Sequence, residues 1–170
     1  EIAKEYKNII IGIFTLPFPF EGGKRKQIAE ETLEKIRPSL NAYIITPNER
    51  IFHIIDRETP LNQAFSATNK RLAEALEGLI ETISTAGLIN IDFADVRATL
   101  EGRGRLAFIN SAAASGATKA QGAVQAALEN PLYSYTIAGA DRILFNMSGG
   151  RNLKMQEVAH VSSAISEHNT

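Results

Sequence analysis

A chain of 170 residues with 44% hydrophobic content carries enough apolar side chain to fill the core of one ordinary domain or two small lobes. Its 18 Lys+Arg and 19 Asp+Glu nearly cancel and form no dense basic patch, which argues against nucleic acid as a partner. Cysteine is absent, which excludes disulfides and thiolate metal sites and favours a cytosolic setting, and His53, His160 and His168 lack ligand spacing, so no metal site is expected. The longest apolar stretch, Ile9 to Leu16, falls well short of the roughly 20 residues a bilayer-spanning helix needs. The opening Glu1-Ile2-Ala3-Lys4 is unlike a secretory signal, so no direct membrane insertion is expected.

In chain order, Glu1 to Lys7 reads as the last turns of a helix with no cap before it, so the chain is expected to begin inside a longer one. Ile9 to Leu16 is a continuous β-branched run, the pattern of a parallel strand buried on both faces, and Pro17 and Pro19 end it. Gly22-Gly23 opens a charged helix from about Lys24 to Ile36, with Ile28, Leu33 and Ile36 as its sheet-facing stripe and Pro38 closing it. Asn41 to Thr46 is a second buried strand, so strand, helix and strand make a βαβ unit.

A short helical turn from Glu49 to Ile55 precedes the longest element, which starts at Thr59-Pro60 with an N-cap and a proline in the first turn. Apolar residues from Leu61 through Ile83 recur at three- and four-residue spacing as far as Gly87, predicting a helix of about 24 residues and roughly 36 Å, long enough to join two lobes. The domain boundary is drawn after it, at Thr85-Ala86-Gly87, giving segments 1–58, 59–86 and 87–170. Beyond lie a helix from Asp92 to about Gly102, a strand from Leu106 to Ser111 and an alanine-rich helix from Thr118 to Glu129, stopped by Asn130-Pro131. A strand from Arg142 to Met147, a turn at Gly149-Gly150 and a last helix from Leu153 to about Ser166 complete the chain.

Asp92 and Asp95 sit three apart at a helix start, which places both carboxylates on one face beside unpaired backbone N–H groups. Spacing leaves two readings open. One is a capping pair stabilised by the helix dipole; the other is a pair of carboxylates that orients a water for attack on a phosphate, with the Asn90 amide beside it.

The segment Gly87 to Arg97, reading Gly-Leu-Ile-Asn-Ile-Asp-Phe-Ala-Asp-Val-Arg, resembles the synergy loop of FtsZ-type, tubulin-like cell-division GTPases. Pro17 to Arg25 is similar to that family's Pro-Phe-x-Phe-Glu-Gly-x-x-Arg, and Ile45-Thr46-Pro47-Asn48 to its Ile-x-Pro-Asn. Thr59-Pro60 with Ala64-Phe65, Asn130-Pro131-Leu132 and Asn146 to Gly150 follow in the family's order. The resemblance implies an α/β chain: the second half of a Rossmann-like GTPase domain, the long central helix, and the first half of an α+β C-terminal domain. It implies GTP or GDP as the ligand, with Mg²⁺ or a monovalent cation at the phosphates, and self-association into filaments in which hydrolysis occurs between subunits. It also implies a cytoplasmic protein at the division site that meets other division proteins.

By the same resemblance Glu21 and Arg25 contact the ribose and the flanking sugar–phosphate region, Asn48 hydrogen-bonds the guanine and Phe65 stacks on it. Asn69, one helical turn past Phe65, accepts from the base through its amide oxygen. Asn90, Asp92 and Asp95 are the catalytic groups, offered by the 87–97 loop to the nucleotide of the next subunit. The family's glycine-rich phosphate loop, Gly-Gly-Gly-Thr-Gly-Thr-Gly, does not occur in these residues, so this chain alone is expected to be inactive and to hold nucleotide weakly. An alternative from another class is a non-enzymatic module that binds or caps filaments of a full-length partner.

Overall fold

The computed structural model describes residues 8–56, 58–84, 92–116, 118–150 and 153–167. They divide into two compact units. The first takes the residues up to Ala73, Leu100–Ile109 and Pro131–Ser134; the second takes Glu74–Thr99, Asn110–Asn130 and the residues from Tyr135 onward. The division falls inside the long helix, between Ala73 and Glu74.

The first unit is built on strand β1 (Ile11–Leu16), helix α1 (Gly23–Ile36) and strand β2 (Ala42–Pro47). Strands β1 and β2 pair in parallel from Ile11 opposite Ala42 to Leu16 opposite Pro47, which requires a crossover connection, and α1 is that connection. A short strand β3 (Arg105–Leu106) pairs in parallel with the start of β2, giving the order β1-β2-β3. Ala42, Tyr43, Ile44 and Thr46 of β2 are buried, whereas β1 is half-buried and Thr15 is exposed. The expectation that β1 is buried on both faces is thus corrected, its residues being half-buried or, at Thr15, exposed. Asn41 fastens the two strand starts, accepting the Ile10 N–H at 2.9 Å and donating to the Gly102 carbonyl at 3.2 Å.

Leu33 of α1 packs with Leu40 and Tyr43, flanked by Ile10, Phe14 and Ile45. Close approach here leaves no room at Gly12, where a β-carbon would lie 2.5 Å from the Phe14 ring and 2.6 Å from Leu40. Of the three residues expected to face the sheet from α1, only Leu33 is buried; Ile28 and Ile36 are exposed. A second cluster joins Phe18, Ile51, Ala64 and Leu132, with Ile54, Ile55 and Ala67 against it. Arg50, in the 3₁₀ turn Asn48–His53, donates to the Pro131 carbonyl at 2.9 Å, and the Tyr133 hydroxyl donates to the Ile109 carbonyl at 2.8 Å.

Helix α2 (Leu61–Ser84) has the 24 residues that its periodicity predicts. It starts one residue later than the Thr59-Pro60 cap implies, with the Pro60 carbonyl accepting the Gln63 and Ala64 N–H groups. Its buried stripe is carried by small side chains, Ala64, Thr68 and Ala75, while Leu61, Phe65 and Ile80 are exposed, so the large apolar residues of its repeat are not all core.

The second unit holds the rest of α2 with α3 (Phe93–Leu100) as far as Thr99, α4 (Lys119–Leu128) and α5 (Met155–Ser166). Helices α4 and α5 pack together, Val124 and Val161 are buried, and Lys119 meets Glu157 at 3.4 Å. Asn110 closes the end of α4: its amide nitrogen lies 2.9, 3.0 and 3.1 Å from the carbonyls of Ala126, Ala127 and Glu129, groups that a helix C-terminus leaves unpaired.

Two expected strands are not formed as drawn. From Leu106 to Ser111 only Leu106 lies in a strand; Ala107 still donates to the Tyr43 carbonyl at 2.8 Å, but Asn110 is turned to capping α4. Arg142 to Met147 forms no ladder among the described residues, and the Arg142 guanidinium instead donates to the Ala98 carbonyl at the end of α3. An apolar β-branched run becomes a strand only where another strand offers it a ladder, which its own sequence cannot specify.

Candidate functional site

In the first unit, Pro17 ends β1 and the chain enters a 3₁₀ turn, Pro19–Glu21. Gly22 follows with φ +96°, a conformation that costs glycine little, and it turns the backbone into α1. The turn is closed from both sides: the Glu21 N–H donates to the Phe18 carbonyl at 3.0 Å, and the Phe18 N–H donates to Oε1 of Glu21 at 2.9 Å. The other carboxylate oxygen of Glu21 takes Arg25 at 2.5 Å, one helical turn onward. The Phe18 N–H first and the Arg25 guanidinium second hold the Glu21 carboxyl below its ordinary range.

Glu21 and Arg25, together with Thr15 and Pro17 from the end of β1, Ile28 and Ala29 of α1, and Asn48 at the start of the next 3₁₀ turn, line one open hollow of about 300 Å³. Three of the residues singled out in the sequence are therefore brought together, because β1 and β2 are parallel and their carboxyl ends open on the same edge. Thr15, Pro17, Ile28 and Ala29 carry no chemical signal that would have marked them; only the sheet register places them there.

Phe65 and Asn69 stand one turn apart on α2, both exposed, and neither lines the hollow. The Phe65 ring sits edge-on to Phe18, centroids 5.6 Å apart, while Phe20 stacks on Phe18 at 4.9 Å and Phe52 lies tilted at 6.0 Å. Phe18 is thus the buried hub of an aromatic group whose other three rings are exposed. Sequence reasoning passed over Phe18, although two phenylalanines alternating with two prolines, Pro17-Phe18-Pro19-Phe20, were a visible signal.

In the second unit, Asp92 and Asp95 form a reciprocal cap. Asp92 Oδ1 accepts the Asp95 N–H at 3.0 Å, and Asp95 Oδ2 accepts the Asp92 N–H at 3.1 Å. The capping reading is therefore realised, and it occupies one oxygen of each carboxylate; the second oxygen of each keeps its capacity to accept from a water. Both residues are exposed at the start of α3, and the Arg97 guanidinium lies over the Phe93 ring, 5.5 Å from its centroid. Asn90 lies outside the described residues, as does the rest of the loop before Asp92.

Residues 105–170 match the model of the FtsZ family, C-terminal domain. The chain is 39% identical over 166 residues to the cell division protein FtsZ of Pseudomonas putida, covering 97% of this chain and 42% of that protein. It is 37% identical over 175 residues to the cell division protein FtsZ of Pseudomonas aeruginosa, covering 100% and 44%. The chain thus spans less than half the length of these curated relatives. Among solved structures, an empty FtsZ dimer from M. jannaschii superposes with a TM-score of 0.75 at 32% identity, covering 99% of this chain and 48% of that one. A point-mutant FtsZ from the same organism gives 0.76 at 32% identity, covering 100% and 51%.

Proposed function

The chain belongs to the FtsZ family along the length it shares with these relatives, and we propose on that premise that it works as part of a cell-division GTPase that polymerises and hydrolyses GTP between subunits. In this reading the hollow of the first unit takes the sugar side of a guanine nucleotide. Asn48 offers an amide that can both donate and accept, which suits the mixed edge of the base, and Arg25 offers a planar cation to the sugar–phosphate region. Phe65 provides the stacking ring and Asn69 a second amide one turn along.

Asp92 and Asp95, with Asn90, act on the nucleotide of the neighbouring subunit, to which residues 87–97 are offered. Phosphoryl transfer asks little covalent chemistry of a protein and much positioning. A carboxylate oxygen that accepts a hydrogen bond from a water turns the water's lone pair toward the phosphorus and receives its proton as the bond forms. The reciprocal cap supports this role, since each side chain is anchored through one oxygen and keeps the other for the water. A Mg²⁺ or monovalent cation at the phosphates supplies charge neutralisation when bound; among the described residues no group of three or more His, Asp or Glu is arranged to hold one. The same residues include no helix long and apolar enough to cross a membrane.

The observation that carries the reading is the gathering of Glu21, Arg25 and Asn48 around one hollow at the carboxyl ends of two parallel strands. Its test is Asn48→Ala in the full-length protein, with GDP affinity read by calorimetry. The expected result is a loss of about tenfold or more, the size of a hydrogen bond to a buried polar partner; an unchanged affinity contradicts the assignment.

A further inference from the structure

Strand β2 ends at Pro47, opposite Leu16 of β1, and Asn48 opens the 3₁₀ turn Asn48–His53. Runs of 3₁₀ backbone longer than three or four residues are uncommon because their hydrogen-bond geometry is poor, and this one has six. Relaxation toward an α-helix changes the rotation from about 120° to about 100° per residue, roughly 40° over the two steps between Asn48 and Arg50. A turn of this length needs fastening from outside, or the side chain at its start swings with it.

The fastening comes from the segment Pro131–Ser134, which lies in the same unit. Ile51 and Leu132, each 1% exposed, share one core cluster, and Arg50 Nε donates to the Pro131 carbonyl at 2.9 Å. The acceptor is itself fixed: Leu132 and Tyr133 after it are buried, and the Tyr133 hydroxyl donates to the Ile109 carbonyl at 2.8 Å. Arg50 does not line the hollow; it bears on it through Asn48, two positions earlier.

We infer that Arg50 is a positioning residue: by fastening the 3₁₀ turn to the Pro131 carbonyl it sets where the Asn48 amide stands at the hollow. This rests on the nucleotide-binding reading above and deepens it by naming what orients the base-reading amide. The bond uses a donor at the Nε position and not the charge as such. Gln carries its amide nitrogen at that same place along the side chain, whereas Ala has no donor.

The test uses the full-length protein with Arg50→Ala and Arg50→Gln, each made alone and together with Asn48→Ala. GDP affinity is read by calorimetry, and the Asn48 side-chain amide resonances by NMR without nucleotide. Arg50→Ala moves the resonances and weakens GDP binding on the order of fivefold, the size of one net hydrogen bond. Arg50→Gln leaves both close to wild type. In the Asn48→Ala background Arg50→Ala brings no further loss, because the two residues act as one unit. A Gln variant as weak as the Ala variant shows that the charge matters and the bond does not, and overturns the inference. An equal loss in both backgrounds overturns it too, as do Asn48 resonances that stay in place in Arg50→Ala. If Asn48→Ala leaves GDP affinity unchanged, the parent reading falls alone, since the resonances still report whether Arg50 positions the amide.

Discussion

Tyr133 is 2% exposed and its hydroxyl donates to the Ile109 carbonyl at 2.8 Å, with the Phe108 ring edge-on to it, centroids 5.1 Å apart. Burial disfavours the phenolate and pushes its pKa from 10.0 up to about 12. A folded-state value above the unfolded one contributes stability that is complete below the unfolded value and is lost as pH rises toward the folded one. The loss is therefore about 1.4 kcal/mol at pH 11 and approaches about 2.7 kcal/mol above pH 12.

Tyr133→Phe keeps the ring and its contact with Phe108 but removes the hydroxyl, costing about 1 kcal/mol near neutral pH for the lost bond. Urea unfolding followed by circular dichroism, from pH 8 to 12, compares the two proteins so that the titration of every other group cancels. The wild type is the more stable below about pH 10, the gap closes between about pH 10 and 11 where the two effects match, and the order is reversed by about pH 11. A gap that stays constant from pH 8 to 12 refutes the reasoning.

The Thr46 hydroxyl is fully buried and has no hydrogen-bond partner among the described residues, so Thr46→Val, which replaces it with a methyl of similar size, raises stability by about 1 kcal/mol in a denaturant melt. Glu157 is held below the ordinary carboxylate range, first by the Lys154 N–H and then by Lys119; its contribution is present above the unfolded value and lost as pH falls through the folded one. Glu157→Gln therefore flattens the acid limb of a stability–pH curve, and an unaltered limb contradicts the assignment. Residues 1–170 alone, which contain no glycine-rich phosphate loop, show no micromolar GTP binding by calorimetry, because base and sugar contacts omit the most charged part of the ligand.

The βαβ unit and the long helix were legible because each is signalled locally. The β-branched run of Ile11–Leu16, the prolines on either side of α1 and the three- and four-residue repeat of α2 need no partner to be read. Which face of an element is covered was less legible. Ile28 and Ile36 look like core and are exposed, because one strand and one helix do not reveal what lies over them. The segments at 107–111 and 142–147 carry strand composition without a strand beside them among the described residues, where Asn110 and Arg142 instead serve helix ends.

At the candidate site, Asp92 and Asp95 were legible as a pair from spacing, and the cap between them is the arrangement that spacing favours. Their catalytic reading came from resemblance to a family motif and remains a separate proposition from the cap. The bond from Arg50 to the Pro131 carbonyl was not legible, since it joins a side chain to a backbone group 81 positions away.

The claim that hydrolysis occurs between subunits is tested most directly by mixing two full-length variants. Asp95→Asn keeps an oxygen for the Asp92 N–H, so the cap survives while the carboxylate is lost; Arg25→Ala with Asn48→Ala alters the hollow proposed to take the nucleotide and leaves Asp95 intact. Each alone turns over little GTP. In an equimolar mixture about a quarter of head-to-tail junctions pair an intact hollow with an intact Asp95, so turnover recovers to roughly a quarter of wild type. A mixture no more active than the sum of its two parts contradicts the account.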